Sequence, residues 1–397
     1  MYNKHMENKK DEQIKLSIKK QLIWFCVIVV ILVLLAFLQS SPSISEWWTK
    51  TISRGWIWLF GNIFGWLPVS VYEILVFIAV VAVIVLIITI IKNLVKRKGK
   101  AALKLFLNGV CIALSIVCLY SAIANFSYNR KELPISVFNG EINREEVEEI
   151  AEYYIFKLNA VSARLERDEN NCVISPYSTR QLSRALSEQF KRLNNDYFSP
   201  FTPQAKGILT SFIMSETHIT GIFFAPTGEP NVNTISPAAG LPVTMAHEMA
   251  HAKGVMREND ANMTAYYICL TAEDDYILYS GLYSLVYRVL AAVSYYPDSL
   301  SSYKELLLML DEDIRDELDF EREYWNQHSS LSKIENKIND FFLKLSGEKG
   351  GTDSYLDKNA NIYDENNKDG DGRPIATVID FSRTQRLIFM LFKNAQI

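Results

Sequence analysis

The stretch Ile74–Ile91 reads ILVFIAVVAVIVLIITII, 18 residues without a charge, an amide or a proline. Two other blocks share its texture. Leu22–Leu38, LIWFCVIVVILVLLAFL, has 17 uncharged residues, and Leu105–Ala124, LFLNGVCIALSIVCLYSAIA, has 20, with Asn108 its most polar member. A helix that crosses the hydrocarbon layer needs about 20 apolar residues, with about 17 as the lower limit. A buried core helix of that length keeps a polar face, and these blocks have none. Residues 22–38, 74–91 and 105–124 are therefore expected as three transmembrane helices in an N-terminal membrane domain, residues 1–126. A cleaved signal peptide does not fit the first block: its charged lead is long, no small-x-small site follows, and two spans would remain.

The charges give the spans a direction. Lys4, Lys9, Lys10, Lys15, Lys19 and Lys20 precede the first, and Lys92, Lys96, Arg97, Lys98, Lys100 and Lys104 lie around the turn from the second to the third. The loop between the first two carries only Lys50 and Arg54, with Trp47, Trp48, Trp56, Trp58 and Trp66, five of the seven tryptophans. Positive loops stay on the cytoplasmic side and indole rings favour the headgroup layer. The reading is a multi-pass protein of a bacterial cytoplasmic membrane with its N-terminus cytoplasmic. The tryptophan loop should lie on the outer surface, and residues 127–397 should be extracytoplasmic.

The chain has 397 residues, 41 Lys and Arg against 45 Asp and Glu, a net charge of −4 that hides a split. Residues 1–126 hold 14 basic and 5 acidic residues, so the remainder holds 27 and 40, a net of −13. An acidic body of that size repels phosphate, which excludes nucleic acid as a partner. Cys172 and Cys269 are the only cysteines outside the spans, so one disulfide is conceivable and a Cys-rich zinc site is excluded.

The outer body reads as mostly helical. Asn143 caps a helix to about Leu165, and helical pattern covers about 177–194, 202–215, 243–253, 259–293, 300–311, 318–347 and 380–394. Ile219–Val243 is rich in β-formers, Pro and Gly, as one or two short strands require, and Gly347–Gly372 has loop composition. The fold class is an α-helical membrane anchor plus an α+β domain with a small sheet. Asn367, Asp369, Asp371 and Gly372 match the start of a calcium loop, but Val378 stands where the bidentate Glu belongs. A solvated turn is the better reading.

The chemistry gathers in Pro242–Gly254, PVTMAHEMAHAKG. Spacing of four on a helix puts His247 and His251 on one face, one turn apart, where two imidazoles can hold one zinc ion. Glu248 lies beside them, placed as a general base. Ala246, Ala250 and Ala252 permit close packing, and Gly254 can end the helix in a left-handed conformation. The chain then re-enters helical pattern at Arg257–Asn262. Catalytic zinc commonly takes three protein ligands. Glu258 is the expected third, with Asp260 as the alternative, and Asn262 sits one turn beyond Glu258 on the same face.

HExxH followed by ExxAN resembles the zincin metallopeptidases of the Glu-ligand, gluzincin-like branch. The three spans, the TGEPNVN segment, LPxTxxHExxHxxG and ExxAN together resemble a family of uncharacterised bacterial membrane proteins placed among those peptidases. The resemblance implies a zincin-like domain, zinc held by His247, His251 and Glu258, and Asn262 hydrogen-bonded to a ligand histidine. It also implies that the strand near Ile219–Phe224 is an edge strand above the metal, with Asn231 and Asn233 near the cleft. The Gly254 turn is similar to that of metzincins, whose third histidine position is Arg257 here.

The expected function is membrane-anchored, zinc-dependent hydrolysis of a peptide or protein substrate, with Glu248 taking a proton from water. The alternative is a non-enzymatic membrane sensor or scaffold that keeps the zinc fold. An intramembrane protease is excluded because Pro237, Gly240, Pro242, Lys253 and Arg257 surround His247 and leave no 18-residue apolar run. Oligomeric state is not legible. The charge distribution predicts that a reporter fused after Ile397 is active only in a form that requires export. Cytoplasmic activity of that reporter would overturn the orientation.

Overall fold

The computed structural model of the protein describes residues 2–193, 195–332, 336–337, 339–340, 343–344 and 361–396. The chain opens with helix α1 (Tyr2–Gln39), α2 (Pro42–Trp48), a π-turn at Thr49–Ser53, α3 (Arg54–Gly65), α4 (Val71–Val95) and α5 (Gly99–Ile123). Helices α1, α4 and α5 are long and apolar enough to cross a membrane, and 17%, 0% and 6% of their apolar windows is buried inside the protein. Helix α5 packs against both of the others. Amides clasp α1 to α5 at two levels. Gln21 Nε2 donates to Asn108 Oδ1 near one end, and Gln39 Nε2 donates to Ser121 O and Oγ at 3.0 Å near the other. We call the end that carries Gln39, Val71 and Ile123 the upper end.

The described residues after α5 build on that upper end. A buried 3-10 turn, Asn125–Asn129, leads to α6 (Arg144–Ser162), α7 (Thr179–Phe190), β1 (Lys206–Ile208), α8 (Ser211–Glu216), β2 (Gly221–Phe224) and β3 (Glu229–Asn233). Helices α9 (Leu241–Ala252), α10 (Glu258–Leu270), α11 (Asp275–Val293), α12 (Leu300–Leu308) and α13 (Glu312–Gln327) follow, then β4 (Ile362–Lys368), β5 (Pro374–Val378) and α14 (Arg383–Ala395). Capping boxes open α6 at Asn143, α7 at Ser178 and α14 at Ser382, each satisfying orphan backbone N–H groups. Helix α11 also has the length and composition of a span. With 78% of its apolar window buried, it is the core helix against which α6, α9 and α10 pack.

The sheet has order β1-β3-β2, β1 parallel and β2 antiparallel to β3. β3 is therefore central, and among the described residues no strand pairs with the outer edge of β2. Lys206 of β1 and Glu229 of β3 form a buried ion pair at 2.5 Å. Glu229 also accepts the first backbone N–H groups of α4, from Val71 and Tyr72 at 3.1 Å each. Glu73 accepts from the backbone N–H groups of Leu209 at 3.0 Å and Thr210 at 2.6 Å. The sheet is thus bolted to the upper end of α4.

Several expectations change. Residues 202–215 are not one helix: Lys206–Ile208 pair with β3, and only Ser211–Glu216 is helical. The buried Lys206–Glu229 pair is the tertiary contact that overrides local pattern. Within 347–372, Ile362–Lys368 is a strand paired with β5, and residues 347–360 lie outside the described ones. A two-stranded ribbon has no core face, so its sequence carries no alternation. The turn at Asp369–Gly372 is docked, not merely solvated: Asp369 and Asp371 accept the backbone N–H groups of Asp298 and Leu300, and Arg373 pairs with both. The tryptophan loop also divides. Trp48 donates to Ala122 O at 2.7 Å and Trp56 to Pro226 O at 3.1 Å, while Trp47, Trp58 and Trp66 stay exposed. All five cysteines are free.

Candidate metal centre

Helix α9 starts with Pro242 in its first turn and packs Ala246, Ala250 and Ala252 at 0% exposure, so neighbouring elements approach its backbone closely. It ends in a Schellman turn: Gly254 N–H donates to His251 O at 2.9 Å, and Val255 N–H to Ala250 O at 3.1 Å. Gly254 takes φ +92°, and a Cβ there would meet Arg130 Nη1 at 3.1 Å. Both conformation and space call for glycine. The chain reverses and α10 begins at Glu258, packed along α9.

This reversal brings together His247, His251 and Glu258, whose donor atoms lie within 4.8 Å of one another. Glu258 Oε2 stands 3.2 Å from His247 Nε2 and 3.6 Å from His251 Nε2. Ligands about 2.0–2.1 Å from a tetrahedral zinc stand about 3.3 Å apart, and both distances from Glu258 to the imidazoles lie near that spacing. The far nitrogen of each ring is committed. His247 Nδ1 donates to Asn262 Oδ1 at 2.9 Å and His251 Nδ1 to Val255 O at 2.7 Å. Those two bonds leave both Nε2 atoms facing the shared point, the arrangement that orients metal-ligating histidines.

Charge follows the geometry. Burial opposes ionisation of Glu258, but His251 and His247 override it and bring its carboxyl down to about 2. Burial likewise opposes protonation of His251, and the Glu258 carboxylate overrides it, lifting the imidazole to about 9. Glu248 behaves differently. Burial pushes its pKa up against the pull of the two histidines, and it accepts the Phe223 backbone N–H of β2. Gly221 leaves the space that this carboxylate fills, since a Cβ there would lie 2.7 Å from Glu248 Oε1.

Of the two acids weighed for the third position, the structure brings Glu258 to the histidines and turns Asp260 away. Asp260 pairs with Arg257 at 2.6 Å and Arg383 at 3.0 Å. Asn262 stands where the spacing puts it. Asn231 and Asn233 are fully buried in central β3, with Asn233 bonded to Ser215 Oγ at 2.8 Å. Sequence reasoning missed the Val255 carbonyl, which is backbone and leaves no side-chain signal. It also missed Arg130, whose guanidinium binds Gly254 O at 2.9 Å, Tyr197 O at 2.9 Å and Glu46 at 2.9 Å.

Two outcomes follow for metal binding. Glu258→Ala should nearly abolish zinc retention, Asn262→Ala should weaken it by about 10–100-fold, and Asp260→Asn should leave it nearly intact. Metal analysis of the purified variants checks this, and release by Asp260→Asn alone would mean the wrong acid. A metal must also displace the His251 proton, held with a pKa of about 9 in the metal-free protein. Zinc affinity should therefore rise by about tenfold per pH unit below that value. Chelator competition between about pH 6 and 8 reads this slope, and a flat profile would contradict the His251–Glu258 pairing.

No curated protein and no solved structure matches the chain. One family model matches residues 48–358, more than three-quarters of the length. The chain belongs to the family described as "Protein of unknown function (DUF3810)".

Proposed function

We propose that this is a membrane-anchored zinc peptidase whose zincin-like domain lies on the extracytoplasmic side. The observation that carries the reading is the buried triad of His247, His251 and Glu258 with an ionisable Glu248 beside it. Zinc held there supplies a Lewis acid that activates water and polarises a scissile carbonyl. The chain's own residues do the rest. Asn262 and the Val255 carbonyl fix both ring orientations. Glu248, raised by burial toward the working pH, accepts the proton of the attacking water and returns it to the leaving amine nitrogen. The free edge of β2 offers backbone groups with which an extended substrate can pair.

A sensor or scaffold would need the three donors but not a desolvated carboxylate next to them, and this favours the enzyme. Glu248→Gln should lower hydrolysis by about 10²–10⁴-fold while zinc content stays unchanged. Gly221→Ala, which presses on the Glu248 carboxylate, should lower turnover by about 10–100-fold with zinc retained. Unchanged turnover of Glu248→Gln in a peptide-hydrolysis assay would sink the mechanism.

A further inference from the structure

The metal centre is built on the upper ends of the long helices, not held away from them. The turn between α9 and α10 puts Met256 in one buried cluster with Ile57 of α3, Ile123 of α5, Tyr128 and Phe223 of β2. Tyr120, in the last turn of α5, packs on this cluster, hydrogen-bonds Tyr128 and lies within electrostatic reach of Glu258 and Glu248. The Phe224 ring of β2 meets the Tyr72 ring of α4 at 4.9 Å. A helical turn is about 5.4 Å long, so Glu248 and the edge strand stand within a few turns of the level where the apolar runs of α4 and α5 begin.

The underside of the outer body has the composition of a surface seated in lipid headgroups. Leu209 and Phe212 are 80% and 60% exposed, and Leu209 donates its N–H to Glu73 in the first turn of α4. Trp58 of α3 and Trp66, just after it, are 57% and 72% exposed beside the same helix ends. Exposed apolar and indole side chains at the mouth of apolar helices are stable where the bilayer meets water.

Resting on the peptidase reading above, we propose that the substrate is a membrane-anchored polypeptide, cut in the extended stretch where it leaves the bilayer. An extended chain advances about 3.3 Å per residue, so about five residues cover the roughly three helical turns between the end of a span and the free edge of β2. A chain anchored in the same bilayer presents that stretch at an effective concentration in the mM range, which no dilute soluble peptide matches. Longer spacers dilute the advantage, because effective concentration falls with tether length.

The test uses the full chain, zinc-loaded, in lipid vesicles. A randomised stretch of about 12 residues is presented in three arms: directly after a transmembrane helix, after that helix plus a flexible Gly/Ser spacer of about 40 residues, and on a soluble carrier. New termini read by mass spectrometry should appear at least about tenfold faster in the first arm than in the other two, and not at all with Glu248→Gln. The double variant Leu209→Glu, Phe212→Glu should slow the first arm while zinc content is unchanged. Equal rates in the first and soluble arms would overturn this inference and leave the peptidase reading standing. No cleavage in any arm by zinc-loaded protein would sink both.

Discussion

Glu258 is only 3% exposed, yet its carboxylate stands between two imidazoles at 3.2 and 3.6 Å. Burying an ionised carboxylate costs several kcal/mol unless partners meet it with good geometry. Each nearby feature of the fold serves that meeting. Three fully buried alanines let neighbouring elements lie close to α9. The Schellman turn at Gly254 reverses the chain within a few residues and exposes the Val255 carbonyl to His251. Arg257 and Arg383 hold Asp260 in a separate ion-pair cluster, so a second acid in the first turn of α10 does not compete for the histidines.

The same turn ties the centre to the helices below. Arg130 is 3% exposed and carries hydrogen bonds to Gly254 O, Tyr197 O and Glu46, with its guanidinium 3.8 Å from the Tyr197 ring centroid. Burial opposes the charge of Glu46, and Arg130 with Lys50 overrides it, holding the carboxyl down to about 2. On the other side, Glu229 is shared between the Lys206 ammonium and the N-terminus of α4, where a carboxylate is favoured by the unpaired N–H groups and the helix dipole. Removing either carboxylate would leave a buried cation unpaired, which is far costlier than losing a surface pair. Helix ends, sheet and helices α9 and α10 are therefore held by shared buried charges, and a buried 3-10 turn joins Ile123 to Arg130.

Much of this was legible because it depends on periodicity. Two histidines four apart must share a helix face, and Asn262 four beyond Glu258 must share the next one. Uncharged blocks of 17 to 20 residues announce long apolar helices, and Asn143 with Glu146 announces a capped start. What failed depends on partners distant in the chain. Lys206–Ile208 is a strand because Glu229–Asn233 lies beside it, and three residues carry no period of their own. Trp48 and Trp56 resemble the exposed tryptophans around them until Ala122 and Pro226 supply acceptors. Tyr120 disappears into an apolar block, where a single phenol changes little, and only packing reveals that it meets the Ala252 and Met256 cluster between α9 and α10.

Composition alone also fails to separate α11 from the three long helices, since all four pass the same length and apolarity test. What separates them is the company they keep: α11 is surrounded by α6, α9 and α10, and Ser280 on it accepts the Val243 N–H at the start of α9. The same distinction between a residue's type and its surroundings decides Glu248. The HExxH spacing puts a carboxylate next to two histidines in any helix that carries it. That carboxylate is desolvated because β2 covers it, with Phe223 N–H as its donor and Gly221 making room. Gly221 does not have a left-handed φ, so the demand for glycine there comes from space and not from the backbone. The edge strand therefore sets the surroundings of the Glu248 carboxylate twice over, through one backbone N–H and through one missing side chain.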